Sequence, residues 1–504
     1  MANVLIDTLF TDKPGDKVCL ECVGGTKLTY AQLQEATARA AGALVSLGVQ
    51  PGDRVAAQVD KSVCAMVLYL ATVRAGAAFL PLNAAYTPAE VEYFIGDAEP
   101  ALLVCRPQSE ALLRSIAETA GALLHTMDAD GRGGTWPQLA AAGAVEFATV
   151  VRGEDDLAAI LYTSGTTGRA KGAMLTHRNL ASNAVTLARY WQFSAADVLL
   201  HALPIFHTHG LFVAINTALV AGASMIYLPR FEAGEVTALM PRASVLMGVP
   251  TFYTRLLDEP SLSNEAARSM RLFISGSAPL LADTHRAFEA RTGHAILERY
   301  GMTETGMSTS NPYDGERRAG TVGFPLPGVE VRVSDPESGA ELPRGEVGTL
   351  EVRGPNVFKG YWRMPEKTAA EFRDDGFFVT GDLSLIDERG YVVIVGRGKD
   401  LIISGGYNVY PKEVESEIDE VPGVVESAVI GTPHPDFGEG VVAVVVRESG
   451  ASLDESAIQA HIGERLANYK RPKRIFFVEA LPRNSMGKVQ KNLLREEYKD
   501  ACGG

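Results

Sequence analysis

The densest group of anion-binding residues lies in the segment 163–172, directly after the apolar run LAAILY at 157–162. This segment has the sequence TSGTTGRAKG and combines hydroxyl side chains, glycines and one lysine. Glycines let backbone N–H groups approach an anion, hydroxyls donate further hydrogen bonds, and the lysine adds positive charge. We therefore predict a loop that binds a triphosphate, formed by Thr163, Ser164, Gly165, Thr166, Thr167, Gly168 and Lys171.

A flexible hydrophilic turn is the alternative interpretation of this segment, but such a turn does not require so many donors between apolar strands. The P-loop spacing G-x-x-x-x-G-K-[ST] does not fit, because Gly168 is followed by Arg169 and Lys171 by Gly172. The sequence therefore disfavours a P-loop ATPase and keeps the prediction of a phosphate site.

Further motifs follow this loop in a fixed order. They are LPIFHTHG (203–210), SGSAPL (275–280), ERYGMTET (298–305), TGDL (380–383), VGRGKDLIISGGYNVYP (395–411) and PRNSMGKVQK (482–491). Together with YTSGTTGRAKGAMLTH (162–177), this series resembles the adenylate-forming superfamily of acyl-CoA synthetases, luciferases and peptide-synthetase adenylation domains. The resemblance implies an acid–thiol ligase that uses ATP, Mg²⁺ and coenzyme A and forms an acyl-adenylate.

The resemblance assigns nucleotide-binding roles within two of these motifs. Thr303 and Glu304 would contact phosphate or metal, with Glu304 as the magnesium ligand, and Tyr300 would lie against adenine. Ser277 of SGSAPL is a further expected nucleotide contact. A capping role at the start of a helix is the alternative for Thr303.

The TGDL motif supplies an expected ribose contact. By resemblance, Asp382 would accept hydrogen bonds from both ribose hydroxyls, a task that suits a carboxylate, and Arg397 would assist it. An aspartate after a glycine is also typical of a turn, so this role depends mainly on the resemblance.

By resemblance, the last two motifs serve two half-reactions, adenylation and then transfer to coenzyme A. Lys488 would stabilise the transition state of adenylation and, with Glu304 and Thr163, forms the expected catalytic set. Lys399 would be the hinge about which a small domain moves between half-reactions. Ile403 departs from the lysine that some members carry. The expected contacts of coenzyme A are Ser404, Gly405, Gly406 and Tyr407.

Two polar residues indicate the kind of acid. Relatives that activate aromatic or fatty acids commonly have an aromatic or small residue where this chain has His209, and a small residue where it has Arg299. A buried guanidinium requires an anionic partner, which it can bind through two parallel hydrogen bonds. A second substrate carboxylate would be that partner, so the sequence favours a short dicarboxylic acid.

Alternatives remain for this pocket. Arg299 could instead pair with Glu298 or Glu304, and His207 could orient the substrate or be purely structural. Met302 is a further expected substrate contact. The resemblance is strongest to malonate-activating members of the superfamily, which implies malonate, with methylmalonate as a further candidate. A ligase for another short carboxylic acid, a carrier-loading adenylation domain and a non-catalytic nucleotide-binding protein are the competing hypotheses.

Composition restricts the partners. The formal net charge of −14 opposes binding to a phosphate backbone, so we expect no nucleic-acid partner. The sequence has no run of eighteen apolar residues, so we expect no membrane span. Five cysteines without a disulfide or zinc pattern suit a reducing cytoplasm. We expect a cytoplasmic monomer or homodimer that binds small molecules.

The elements that position these motifs follow from periodicity. Helical spacing at 30–48, 66–76 and 90–98 alternates with strand-like runs, which predicts layered α/β structure. After about residue 320, β-branched segments such as EVRVSD and GTLEVRG predict a β-rich subdomain. We therefore predict a large N-terminal α/β domain at 1–397 that includes this β-rich subdomain, and a small mobile α+β C-terminal domain at 398–504.

Overall fold

The computed structural model of the chain describes residues 3–22, 25–163, 170–404, 407–448, 450–463, 465–484 and 487–502. They group into two compact units. The first unit comprises Met1–Ala319, Gly323–Glu330 and Val352–Phe378, and the second comprises Gly320–Val322, Val331–Glu351 and Val379–Gly504. The domain limits of 1–397 and 398–504 stay a prediction. Within the described ranges, every helix is too short or too polar to cross a lipid bilayer.

The helices begin and end as follows: α1 (Val4–Phe10), α2 (Tyr30–Ser46), α3 (Val63–Arg74), α4 (Pro88–Ala98), α5 (Glu110–Thr119), α6 (Thr135–Ala142), α7 (His177–Tyr190), α8 (Asn216–Ala221), α9 (Ala233–Leu239), α10 (Pro250–Asp258), α11 (Ala282–Thr292), α12 (Pro365–Ala370), α13 (Pro411–Asp419), α14 (Glu455–Gly463) and α15 (Lys491–Glu497). A π-helix, His209–Ile215, precedes α8.

The strands have these bounds: β1 (Val18–Cys22), β2 (Lys27–Thr29), β3 (Arg54–Gln58), β4 (Ala78–Pro81), β5 (Leu102–Cys105), β6 (Leu123–Thr126), β7 (Leu157–Thr163), β8 (Lys171–Thr176), β9 (Val198–His201), β10 (Ser224–Tyr227), β11 (Val245–Gly248), β12 (Leu272–Ser275), β13 (Leu297–Met302), β14 (Gly306–Ser310), β15 (Phe324–Pro325), β16 (Glu330–Ser334), β17 (Gly348–Arg353), β18 (Gly360–Tyr361), β19 (Phe378–Ile386), β20 (Val392–Arg397), β21 (Ile402–Ser404), β22 (Tyr407–Val409), β23 (Val424–His434), β24 (Gly438–Arg447) and β25 (Arg474–Val478).

Local sequence explains the boundaries of the long helices. In α2, Thr29 caps the first turn and Gln32 bonds back to it, which completes a capping box. In α4, Thr87 and Glu90 form the same arrangement and Pro88 occupies the first turn. These caps satisfy N–H groups that have no partner within the helix, so the predicted helices begin at these residues.

Two mixed sheets organise the first unit. One has the order β15-β14-β13-β12-β11-β9-β10-β1-β2, and the other has the order β18-β8-β7-β4-β3-β5-β6. Their central strands are parallel and buried on both faces, as β4, β5, β11 and β12 illustrate. The predicted α/β layering is therefore confirmed.

The carboxyl ends of the parallel strands position the candidate pocket. Strand β9 ends at His201, and β12 ends at Ser275, just before Gly276 and Ser277. Strand β13 runs parallel to β12 over Ser275 and Glu298, which brings Arg299 to the same edge. Ligands of open α/β sheets bind at this edge, so the topology gathers polar side chains where a substrate can reach them.

The second unit contains the predicted β-rich and α+β segments. Its sheets have the orders β16-β17-β19-β20 and β22-β21-β24-β23, with β25 added beside β24. An apolar core that includes Val414, Ile418, Val441 and Ile458 packs the helices α13 and α14 against the second sheet. After residue 410 the elements follow in the order α13, β23, β24, α14 and β25, so this segment has the predicted α+β character.

Candidate active site

The predicted phosphate loop connects the antiparallel strands β7 and β8, in which Thr163 pairs with Lys171. The hydroxyl of Thr163 donates to the backbone carbonyl of Lys171 at 3.4 Å. The hairpin therefore places Thr163 and Lys171 together at the base of the loop. The remaining predicted loop residues, Ser164, Gly165, Thr166, Thr167 and Gly168, lie outside the described residues.

The side chain of Lys171 is held by two neighbours of the same unit. Its Nζ lies 3.3 Å from Oε1 of Glu371 and 4.2 Å from the centre of the Tyr361 ring. Tyr361 reaches this position because β18 pairs with β8, with Tyr361 opposite Ala173. The base of the loop is thus lined by a cation, a carboxylate and an aromatic ring.

Glu304, the predicted magnesium ligand, is buried beside this group. The Tyr361 hydroxyl lies 3.0 Å from Oε1 of Glu304 and 2.7 Å from Oε2 of Glu371. Burial raises the pKa of Glu304 above its usual value. A bound cation would favour the ionised carboxylate, so the surroundings of Glu304 suit a hard metal ion with oxygen ligands.

The neighbours of Glu304 lie on a hairpin rather than at a helix start. Strands β13 and β14 pair antiparallel with an irregularity between Tyr300 and Gly301, and Thr303 lies in the turn that joins them. This excludes the alternative of a helix cap for Thr303. Tyr300, Met302 and Thr303 are half-buried, as expected for groups that can contact a ligand.

Arg299 is buried, with 2% of its surface exposed. Among the described residues, its Nε and Nη2 have no hydrogen-bond partner. Burial lowers the pKa of Arg299 to about 9, so the guanidinium stays charged at neutral pH. Of the two proposed protein partners, Glu304 contacts Tyr361, whereas the Glu298 carboxylate acts on Arg299 and partly offsets the lowering of its pKa. Two guanidinium nitrogens therefore remain available to an anion.

His209 begins the π-helix and lies near enough to Arg299 to feel its charge. Its Nδ1 is 3.3 Å from the Ser277 hydroxyl, and its Nε2 is buried without a hydrogen-bond partner in the described part of the chain. Burial and the nearby Arg299 hold the pKa of His209 well below its usual range, so the ring is neutral. Ser277 has a φ of 73°, a conformation that costs a serine about 1–3 kcal/mol. His207 lies just before the π-helix and is half-buried.

In the second unit, the predicted ribose-binding pair is brought together. Asp382 and Arg397 are paired across β19 and β20. Nε of Arg397 lies 3.2 Å from Oδ1 of Asp382, which is itself buried. Arg397 thus orients the Asp382 carboxylate.

The predicted hinge and coenzyme A residues follow on the same unit. Lys399 is exposed in a 3₁₀ turn, Gly398–Asp400. Ser404 is buried at the end of β21, and Tyr407 begins β22 and stacks on Tyr469 with a centroid distance of 4.7 Å. Gly405 and Gly406 lie outside the described residues.

Two hydrogen bonds join Lys488 to Asn484. The Asn484 side chain accepts a hydrogen bond from the Lys488 backbone N–H at 3.0 Å, and the Lys488 carbonyl accepts one from the Asn484 N–H at 2.9 Å. Arg483, next to Asn484, forms an ion pair with Glu426. The backbone of Lys488 is therefore held by its hydrogen bonds to Asn484.

Comparison with known proteins places this arrangement in a family. The model of the AMP-binding enzyme family matches residues 9–362, and that of the AMP-binding enzyme C-terminal domain matches residues 413–488. The chain belongs to the AMP-binding enzyme family. The resemblance inferred from the seven motifs is confirmed.

Solved and curated relatives of this AMP-binding enzyme cover nearly its whole length. Its structure is similar to that of ATP-bound MatB from Rhodopseudomonas palustris, with a TM-score of 0.97 and 62% identity over 99% of this chain and 100% of that one. It is 37% identical over 464 residues to a malonate–CoA ligase of Arabidopsis thaliana, which covers 86% of this chain and 76% of the relative. It is also 35% identical over 471 residues to a sulfoacetate–CoA ligase of Cupriavidus necator, covering 93% and 92%.

Three residues of this AMP-binding enzyme lie at the candidate site but in no predicted role. Glu371 and Tyr361 contact Lys171, and Gly276 lies against Arg299. Gly276 is within the SGSAPL motif, so the motif marked its position without its function. Glu371 and Tyr361 had no sequence signal, because their contacts join segments distant along the chain.

Proposed function

We propose that this AMP-binding enzyme joins malonate to coenzyme A, with ATP, and produces malonyl-CoA, AMP and pyrophosphate. The observation that carries the proposal is the buried Arg299, whose Nε and Nη2 have no hydrogen-bond partner among the described residues. Buried donors that make no hydrogen bond are costly, whereas a substrate carboxylate would accept from both nitrogens. Malonate has one carboxylate for this contact and another for activation.

His209 and Ser277 support this binding mode. In the tautomer in which the Ser277 hydroxyl donates to Nδ1 of His209, the opposite nitrogen, Nε2, carries the proton. Nε2 can then donate to the same carboxylate that Arg299 binds. The neutral histidine would orient the carboxylate through a hydrogen bond, and the arginine would neutralise its charge.

The reaction has two steps. One malonate carboxylate attacks the α-phosphate of ATP and displaces pyrophosphate, which gives malonyl-adenylate. The thiol of coenzyme A then loses its proton and attacks the adenylate carbonyl, and AMP leaves. Both steps require neutralised charge and fixed orientation more than covalent help from the protein.

Residues of this chain fit these requirements. Thr163 and Lys171 would hold phosphates, Asp382 would hold the ribose, and Lys488 would neutralise charge during adenylation. Glu304 would hold Mg²⁺, which when bound supplies positive charge at the phosphates. Ser404 to Tyr407 would contact coenzyme A.

The names of two relatives agree with an anionic substrate. The Arabidopsis relative is a malonate–CoA ligase, and the Cupriavidus relative is a sulfoacetate–CoA ligase. Both acids carry a second negative group at a short distance from the carboxylate. A ligase for another short carboxylic acid is the alternative. We also propose a cytoplasmic location, because all five cysteines are free thiols.

Pyrophosphate release measured with malonate, methylmalonate, succinate, sulfoacetate and acetate tests the proposal. We expect malonate to have the highest kcat/KM, and Arg299→Ala to reduce it by about 10²-fold or more while activity with acetate changes little. Arg286→Ala is the matched control, because Arg286 is exposed on α11 and pairs with Asp283. If acetate or sulfoacetate leads in the wild type, the assignment of malonate is wrong.

A further inference from the structure

Glu371 directly follows α12 and contacts two lysines at once. Its Oε1 lies 2.7 Å from Nζ of Lys367 and 3.3 Å from Nζ of Lys171. Its Oε2 lies 2.7 Å from the Tyr361 hydroxyl. The Glu371 side chain is only 19% exposed, so water screens these contacts weakly.

These contacts fix where the Lys171 ammonium group rests. Besides Glu371, the face of the Tyr361 ring attracts it at 4.2 Å. The Tyr361 hydroxyl is itself held between Glu371 and Glu304. A lysine at the base of a phosphate loop would otherwise sample many rotamers.

A bound triphosphate would compete with Glu371 for the ammonium group of Lys171. Both are anions that gain from the same ammonium group, and they repel each other when both are close to it. Binding of ATP must therefore weaken the pair between Lys171 and Glu371. This weakening does not leave Glu371 without a cation, because Lys367 stays on the same carboxylate oxygen.

We propose that Glu371 is a positioning residue that holds Lys171 in the nucleotide-free enzyme and releases it to the triphosphate, while Lys367 keeps the Glu371 carboxylate paired. This inference rests on the proposed ATP-dependent function. It predicts that Glu371 opposes binding of ATP and of pyrophosphate. It predicts no effect on AMP, which lacks the phosphates that Lys171 would contact.

Calorimetric titration of the 504-residue chain with Mg·ATP, pyrophosphate and AMP tests this role. We expect Glu371→Gln to tighten binding of ATP and pyrophosphate by about three- to tenfold, with AMP unchanged. In the background Lys171→Met the same substitution should have no effect, because the competing partner has been removed. Glu99→Gln is the control, since it removes a carboxylate from an ion pair with Arg363 elsewhere on the first unit.

Lys367→Met gives a second test of opposite sign. Without Lys367, Glu371 would bind Lys171 more strongly, so the affinity for ATP should fall by about two- to fivefold. Weaker ATP binding in Glu371→Gln would overturn the inference, as would an equal change for AMP or an effect that persists with Lys171→Met. A wild-type chain that binds ATP but shows no response to Glu371→Gln refutes this inference alone. A wild-type chain that binds no ATP refutes the proposed function beneath it.

Discussion

The guanidinium of Arg299 lies directly against the α-carbon of Gly276. A β-carbon built on Gly276 would lie 2.4 Å from both Cζ and Nη1 of Arg299. Any side chain at this position must therefore displace the guanidinium from its place. The absence of a side chain at Gly276 is what allows the arginine to occupy the pocket.

We predict that Gly276→Ala raises KM for malonate by about tenfold or more, because the displaced guanidinium can no longer bind the second carboxylate in place. KM for ATP should change much less. Gly96→Ala is the matched control, since Gly96 lies in α4 with no atom within 4 Å of its added β-carbon. Steady-state kinetics of both variants provide the measurement, and an unchanged KM for malonate would contradict the proposed position of Arg299.

A second prediction concerns pH. Burial lowers the pKa of Arg299 to about 9, so the group is charged below that pH and neutral above it. Affinity for a second carboxylate should thus be present below pH 9 and lost as pH rises through that value. The ratio of kcat/KM for malonate to that for acetate removes titrations common to both acids. We expect this ratio to fall about tenfold per pH unit above 9, and a constant ratio up to pH 10.5 would refute the prediction.

A third prediction concerns the support of the π-helix that begins at His209. Nζ of Lys61 lies 2.7 Å from Nδ1 of His201, and Nε2 of His201 lies 2.8 Å from the carbonyl oxygen of Gly210. Burial holds the pKa of His201 well below its usual range, so the neutral ring accepts from Lys61 and donates to Gly210. This chain of bonds fixes the backbone next to His209.

Replacing Lys61 by methionine should therefore raise KM for malonate by about three- to tenfold, with a smaller effect on KM for ATP. Lys13→Met serves as control, because Lys13 also donates to a backbone carbonyl, that of Val220, at 2.7 Å. Steady-state kinetics of each variant measure KM for malonate and KM for ATP separately. Equal increases in both KM values would indicate general damage rather than loss of support for the π-helix.

A fourth prediction concerns stability of the second unit. Burial raises the pKa of Asp419 to about 7, and the Ser427 hydroxyl donates to its Oδ1 at 2.7 Å. Between about pH 4 and 7 the folded state keeps a proton that the unfolded state has lost, so this group's contribution to stability falls as pH rises through that range. Above about pH 7 this contribution is lost completely, which lowers the free energy of unfolding by up to roughly 4 kcal/mol.

Asp419→Asn should remove this loss, because the amide oxygen still accepts from Ser427 and never ionises. We expect the variant to unfold at a higher temperature than the wild type at pH 8, with a smaller difference at pH 5. Asp436→Asn, at an exposed position of the same unit, should leave the unfolding temperature unchanged at both pH 8 and pH 5. An equal gain of Asp419→Asn at both pH values would show that ionisation is not the cause.

Sequence patterns predicted helices and strands well where the residues that determine them are close together in the chain. The helix at 30–48 forms as Tyr30–Ser46 because the cap residues Thr29 and Gln32 lie within one turn of its start. Strand β7 forms from the apolar run LAAILY, whose residues are consecutive in the chain. Local sequence does not select the structure at Thr303, because a threonine before a glutamate suits both a helix cap and a hairpin turn. Only the pairing of β13 with β14 selects the turn.

The sequence by itself determined the family and the chemistry, because the motifs specify which groups are present and in which order. It also indicated an anionic substrate, since Arg299 and His209 stand where other members have smaller or aromatic residues. Only the tertiary structure decided which groups meet. Nε and Nη2 of Arg299 have no partner in the described ranges, and Lys171 meets Glu371 across 200 residues of chain. Periodicity and caps act over a few residues, whereas these contacts depend on how the strands and helices pack.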